Sequence, residues 1–182
     1  MSRSHPWLDL TNRPTQQLPR DQLEGRIERI LTLTNIGYMA TNGTQGPICS
    51  PVEFYSEGLD IYIYPQPNSP KIKALQADPR MSFAVANPMA GWASAMGVQL
   101  FGAGELLEPG TPEWDHGMTV FKYPASNWEV GRPVDAIPNG LLLRLRPDRI
   151  TLTEHFLRRE GYAARQFWDR DPQAQRQRQA SV

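Results

Sequence analysis

The seven residues Ser69-Pro70-Lys71-Ile72-Lys73-Ala74-Leu75 hold the most readable chemistry in the chain. Ser69 is a favourable helix N-cap and Pro70 a favourable first helical residue. Together they place a hydroxyl, unpaired backbone N–H groups and the Lys71 ammonium at one helix N-terminus, where the macrodipole favours an anion or a phosphate. Lys71 and Lys73 stand roughly 200° apart on a helix of about 3.6 residues per turn, so they do not share a ligand, and the anion is assigned to Lys71. A capped helix carrying two solvated lysines is the competing reading of the same residues.

Elsewhere the residue types exclude more than they nominate. The single Cys49 rules out an intrachain disulfide and a multi-cysteine zinc site within one chain, and no metal is expected. It reads as a small core residue. His116 reads as a partly exposed surface histidine, nothing marks Glu53 as a general acid, and no catalytic residue is assigned. The 19 basic and 19 acidic side chains balance, so no global field points to nucleic acid or to an anionic membrane. No apolar run approaches the length that spans a bilayer, and the first residues lack a signal-peptide core, so a cytoplasmic location is expected.

The helix opening at Ser69 needs a frame. Ile36–Thr41, Ile48–Tyr55 and Leu59–Tyr64 are short runs rich in β-branched and aromatic residues, separated by NGTQGP and SEG, and they read as an antiparallel meander. Pro51 cannot donate to a sheet ladder, so it marks an edge or a bulge, where backbone groups stay free for a flat ligand or simply protect the edge. Before the meander, Leu23, Ile27, Ile30 and Leu31 recur at helical spacing, with Asp21 and Glu24 in the relation of a capping box. After it come a buried strand at Met81–Ala86, a loop bearing Trp92, and a long glycine-containing strand at Met96–Leu107. A helix at Pro112–Phe121 follows, then a long loop from Tyr123 to Pro138 with Trp128 and Arg132, and two strands around Pro147-Asp148. The domain reading is an N-terminal arm at 1–20 bearing Trp7, a barrel domain at 21–155, and a segment at 156–182. That last segment is expected to dock on the body or on a dimer partner, with its final ten or so residues frayed.

The stretch SPKIKALQADPRMSFAVA (Ser69–Ala86), together with Gln99 and Gly104 in MGVQLFGAGELL, resembles the FMN-binding split barrel of the pyridoxamine 5'-phosphate oxidase superfamily. The resemblance covers residues 35–107 best. It implies a mainly β (α+β) fold, a six- to seven-stranded antiparallel split β-barrel with flanking helices. It implies FMN as cofactor, with Ser69 and Lys71 at the phosphate and Gln99 at the polar edge of the ring. Ser50, Pro51, Val52, Glu53, Tyr62 and Tyr64 would line the slot, and barrel core is the other reading of the two tyrosines. It also implies a homodimer with the flavin at the subunit junction; a phosphate site made only of Ser69, Lys71 and backbone donors is incomplete, and Arg132 or Arg165 of a second chain is the candidate to finish it. Direct hydride passage to a flavin asks for no side-chain acid or base. Three departures separate the chain from vitamin B6 oxidation: Pro70 stands where an arginine is common, no R-x-V-x-x-K strand is present, and the tail reads ARQFWDR rather than R-L-H. The expected function is an FMN-dependent oxidoreductase of unassigned substrate. The alternatives are a flavin-binding module without turnover, or a split-barrel haem or deazaflavin protein, for which His116 and His155 are the available haem ligands.

Overall fold

In the computed structural model, which describes residues 13–87, 91 and 94–180, the apolar alternation folds into one strongly bent antiparallel sheet. Its eight strands are β1 (Ile36–Gly43), β2 (Gly46–Glu53), β3 (Tyr55–Glu57), β4 (Asp60–Ile63), β5 (Arg80–Ala86), β6 (Met96–Leu107), β7 (Leu142–Glu154) and β8 (Arg165–Asp169). The order is β2-β1-β5-β6-β7-β4-β3, with β8 also on β7. β2 and β3 are one run of chain broken at Phe54, whose N–H donates to Asn35 O at 2.8 Å. The two ends of the strand order are therefore covalently continuous, and the sheet curls into a barrel. β4 and β8 share one edge of β7, along Leu143–Leu145 and Arg149–Thr153 respectively, and the barrel is split where they part. The strand beyond the expected six or seven is β8, contributed by the C-terminal segment.

Inward-facing residues at alternate positions fill the barrel. Met39, Phe83, Val98, Leu100, Ile150 and Leu152 are all buried, and they meet the Leu23, Ile27, Ile30 and Leu31 stripe of α1 (Arg20–Thr32). Full burial of one such side chain contributes about 1.5–3 kcal/mol. Gly37 is required beside Phe83, because a Cβ there would lie 2.2 Å from the ring. α2 (Pro70–Ala77) closes one end, with Ile72 and Leu75 in the core. A second, smaller core lies on the other side of β4 and β7, where Tyr62, Leu107 and Leu142 pack beneath Trp114, Met118 and Phe121 of α3 (Pro112–Phe121). Leu142 and Leu143 are both fully buried because β7 has a core on each face at that point.

Several expectations change in three dimensions. The Asp21–Glu24 capping box does not form: the helix starts at Arg20 without a side-chain cap, and Glu24 instead pairs with Arg20 at 2.9 Å and accepts from Trp168 Nε1 at 2.6 Å. Pro147-Asp148 does not divide two strands. β7 runs through it, since the register shift between Phe101 and Gly102 of β6 absorbs the irregularity. The loop after Lys122 begins as a helix, α4 (Tyr123–Glu129), with a proline in its first turn. Cys49 is exposed rather than in the core, because strand alternation turns it outward beside Ala40.

The tail forms a 3-10 helix (His155–Glu160), β8 and α5 (Pro172–Ala180). The final residues expected to fray are helical up to Ala180. Asp171 Oδ1 accepts from Gln173 N–H at 2.8 Å at the start of α5, and Arg178 binds Asp169 at 2.7 Å. Trp168 is buried, with the Arg20 guanidinium 4.9 Å from its ring centroid. Trp7 and Trp92 lie outside the described residues. Among the described residues no helix is long and apolar enough to cross a membrane.

Candidate functional site

Strand register decides which residues share a surface. On the outer face, Pro51 pairs with Tyr38, Tyr38 with Ala84, Ala84 with Gln99, Gln99 with Thr151, and Thr151 with Phe167. These six form one row across six strands. Beside it run Ala40, Ser82 and Phe101 on one flank and Ala86, Gly97 and Thr153 on the other. The middle of this surface is therefore built from Ala, Ser and Gly, with the exposed Gln99 amide as its central hydrogen-bonding group. Ile36 and Tyr38 stand on the same face, 47% and 51% exposed. At one end a groove of about 610 Å³ lies among Pro47, Arg80, Ser82, Phe101 and Arg149, with the Arg149 guanidinium 4.5 Å from the Phe101 ring centroid.

Ser69 and Lys71 occupy a different place, the N-terminus of α2 at the barrel end. Ser69 has extended backbone (φ −63°, ψ 152°) and takes the N-cap position, yet its hydroxyl makes no capping bond. The Oγ atom is buried and has no hydrogen-bond partner among the described residues. Lys71 is half-buried, while Lys73 is exposed and lines a groove against the β1–β2 hairpin with Pro70, Ala74 and Ala77. At the other end of α2, Asp78 is clamped by Arg80 Nη2 at 2.7 Å and Asn42 Nδ2 at 2.9 Å. Those hydrogen bonds, Arg80 foremost, hold the Asp78 carboxyl well below the usual carboxylate range and tie the helix to β1 and β5.

The slot residues expected from sequence separate. Pro51 and Glu53 face outward, whereas Ser50 and Val52 stand on the inner face beside Met39 and Gly37, so the four side chains cannot line one surface. What they share is the strand edge, since β2 pairs only with β1 among the described strands. Glu53 Oε2 accepts from Ser126 Oγ of α4 at 3.0 Å, and its Oε1 is buried without a partner among the described residues. Tyr62 does not reach a slot. It is 2% exposed beneath α3, and burial raises its pKa even though Arg144 bonds its hydroxyl. Tyr64 packs 5.9 Å from Phe121, and its hydroxyl accepts from Gly140 N–H at 2.7 Å. Both belong to the second core, which the β4 alternation dictates once Ile61 and Ile63 face the barrel. Arg132 is exposed in the loop after α4.

The sequence reading missed Tyr38, Ala84, Thr151 and Phe167 as neighbours of Gln99, because cross-strand register between distant strands leaves no local signal. It also missed a cavity of about 740 Å³ whose lining includes Arg13, His155, Arg158 and Arg165, residues that come from separate segments. Burial first, then Arg158 and Arg13, hold the His155 imidazole below its ordinary pKa. His116, by contrast, lies at the surface, 2.7 Å from Glu57. Among the described residues no three His, Cys, Asp or Glu side chains gather to hold a metal ion.

Comparison with known proteins places this geometry. The pyridoxamine 5'-phosphate oxidase family model matches residues 23–154. No curated protein sequence matches the chain. A protein of the pyridoxinephosphate oxidase family related to general stress protein 26, from Clostridium acetobutylicum, superposes with a TM-score of 0.63 at 12% identity, over 84% of this chain and 98% of its own. General stress protein 26 from Bacillus anthracis gives 0.60 at 17%, over 81% and 98%. A haem-binding protein from Mycobacterium smegmatis gives 0.61 at 22%, over 85% of this chain but only 60% of its own length. At these identities the superpositions establish the fold alone.

Proposed function

The chain belongs to the pyridoxamine 5'-phosphate oxidase family, and from that premise we propose that it binds FMN and acts as a flavin-dependent oxidoreductase, working as a homodimer. The observation that carries this reading is the buried Ser69 hydroxyl at the N-terminus of α2. A buried hydroxyl left without a partner costs about 1–3 kcal/mol, and an incoming phosphate oxygen relieves it. The same helix end offers the half-buried Lys71 ammonium and the positive pole of the helix.

The residues fit the cofactor's demands. Ser69 and Lys71 would hold the phosphate, and the free edge of β2 at Ser50–Glu53 would lie along the ring. Gln99 offers both a donor and an acceptor, which suits the mixed polar edge of an isoalloxazine. When bound, FMN supplies the redox chemistry, while the chain binds it, orients it and excludes water. No side chain is assigned a proton-transfer role.

Two chains are proposed because Gln99 projects from the outer sheet face, whereas Ser69 and Lys71 sit at the barrel end. The exposed Ile36 and Tyr38 beside the Gln99 row supply apolar area for a second copy. Arg132 or Arg165 of that copy would complete the phosphate site. The visible spectrum of freshly purified protein tests the cofactor: two broad oxidised-flavin bands are expected, and a sharp Soret band would overturn the reading in favour of haem. Light scattering tests the assembly, with a flavin-retaining mass of 20.6 kDa counting against the dimer.

One observation favours haem as the second reading. His155 is buried and its imidazole is held below its ordinary pKa, which favours the neutral form that ligates haem iron. The Mycobacterium smegmatis protein with this fold binds haem.

A further inference from the structure

β7 carries one residue more than its partner strand beside Phe101 and Gly102. Arg149 pairs with Phe101 and Pro147 with Gly102, so Asp148 has no opposite number on β6. Such a β-bulge bends the strand and re-aims the side chains next to it. Arg170 fixes this one, its N–H donating to Asp148 O at 2.7 Å and its Nε to Pro147 O at 3.0 Å. Gly102 is needed on the facing strand, since a Cβ there would lie 2.8 Å from Arg146 O. Asp148, Arg149 and Phe101 all line the groove of about 610 Å³ on the outer sheet face. That volume lies within the range of small-molecule sites, roughly 300–1,000 Å³.

The charges of the groove fall into two kinds. Arg80 is already compensated, bound to Asp78 at 2.7 Å. Arg149 and Asp148 are not: among the described residues neither side chain makes a hydrogen bond or an ion pair. The Arg149 guanidinium instead lies 4.5 Å from the Phe101 ring centroid. Stacking of this kind holds the group in place and leaves its N–H edges open to a carboxylate. Asp148 and Arg149 are consecutive, with Cα atoms about 3.8 Å apart, so one small head group spans both charges. Beside Phe101 the surface is low and flat. Ser82 stands opposite it and Ala40 opposite Ser82, both half-buried, which leaves room for a second ring.

We propose that this groove binds an α-amino acid with an aromatic side chain, its carboxylate on Arg149, its ammonium on Asp148 and its ring against Phe101. The pair of opposite charges decides the class. A plain anion drawn to Arg149 meets the Asp148 carboxylate, and a plain cation drawn to Asp148 meets the guanidinium. A molecule that carries both charges on one carbon satisfies the two at once. The aromatic requirement comes from Phe101 and the open floor at Ser82 and Ala40, since aromatic rings pack favourably edge to face or offset. Phe101 stands two residues from Gln99 on β6, so the groove opens roughly 7 Å along the strand from the Gln99 row. The proposal does not rest on the flavin reading.

The test is calorimetric titration of the full-length protein with L-phenylalanine and L-tryptophan. Three further probes each lack one feature: 3-phenylpropionate the ammonium, phenethylamine the carboxylate, and L-alanine the ring. Saturable binding of at least one aromatic amino acid, tighter than that of all three, is expected. Arg149→Gln and Asp148→Asn, both at exposed positions, should each weaken it about 10-fold or more, the equivalent of one charge-assisted bond. The first should also abolish the preference over phenethylamine, and the second the preference over 3-phenylpropionate. Arg29→Gln, on the exposed side of α1, should leave binding unchanged, and unchanged melting temperatures would show that the variants fold. Absence of saturable binding, affinity for 3-phenylpropionate or phenethylamine equal to that for the amino acids, or unaltered affinity in the Arg149→Gln and Asp148→Asn proteins would each overturn the proposal. The visible spectrum reports on the flavin separately, so the two readings fail independently.

Discussion

Replacing Ser69 by alanine should move stability and cofactor affinity in opposite directions. The hydroxyl oxygen is buried and unpartnered among the described residues, and it makes no capping bond to α2. An N-cap serine normally contributes about 1 kcal/mol, but only through the bond that is missing here. Removing the hydroxyl therefore forfeits no cap and abolishes a desolvation cost of about 1–3 kcal/mol. A gain of about 1 kcal/mol corresponds to a rise of about 2–4 °C in melting temperature for a domain of this size. In the proposed FMN complex the same hydroxyl would donate to a charged phosphate oxygen, a bond of about 1.5–3 kcal/mol, so affinity should fall about 10- to 150-fold. Thermal melts of apo wild type and Ser69→Ala, paired with fluorescence titrations of FMN, measure both arms. A lower apo melting temperature would show that the hydroxyl caps the helix after all. An FMN affinity within about twofold of wild type would remove Ser69 from the phosphate site.

Lys71→Ala should weaken FMN binding about 10- to 150-fold through loss of a charge-assisted bond, while Lys73→Ala, exposed and turned to the β1–β2 hairpin, should change it little; equal losses in the titration would sink the assignment. Gln99→Leu should shift the flavin reduction potential more than the affinity, and an unchanged potential in a spectroelectrochemical titration would place Gln99 away from the ring. Because the folded-state pKa of His155 lies below its unfolded value of about 6.5, the unfolded chain takes up the proton first, so stability is lost as pH falls below about 6.5 and stops falling once the folded group is protonated. His155→Gln should flatten that part of a melting-temperature profile, and an unaltered profile would assign the acid loss to other groups.

Local chemistry was legible in the sequence wherever neighbours along the chain decide the outcome. The helix opening at Ser69-Pro70, the α1 stripe of Leu23, Ile27, Ile30 and Leu31, and the alternating runs of the meander all follow from contacts within a few residues. The helix opening at Ser69 and the strands on either side of it, not α1, carry the family pattern, so the split barrel was recognisable from sequence. Tertiary structure alone decided what depends on register and on long-range partners. Alternation is symmetric between two faces, so nothing local told whether Ser50 or Pro51 looks inward, and only pairing with Met39 and Tyr38 settled it. The same ambiguity hid Cys49 on the outside and Tyr62 beneath α3. The Asp21–Glu24 pattern suggested a capping box, yet Glu24 found Arg20 on its own helix and Trp168 more than a hundred residues away. The Gln99 row and the arginine-lined cavity are assembled from strands and turns far apart in sequence. Their chemistry exists only after the chain has met the entropic cost of bringing those segments together, a cost that no short motif records.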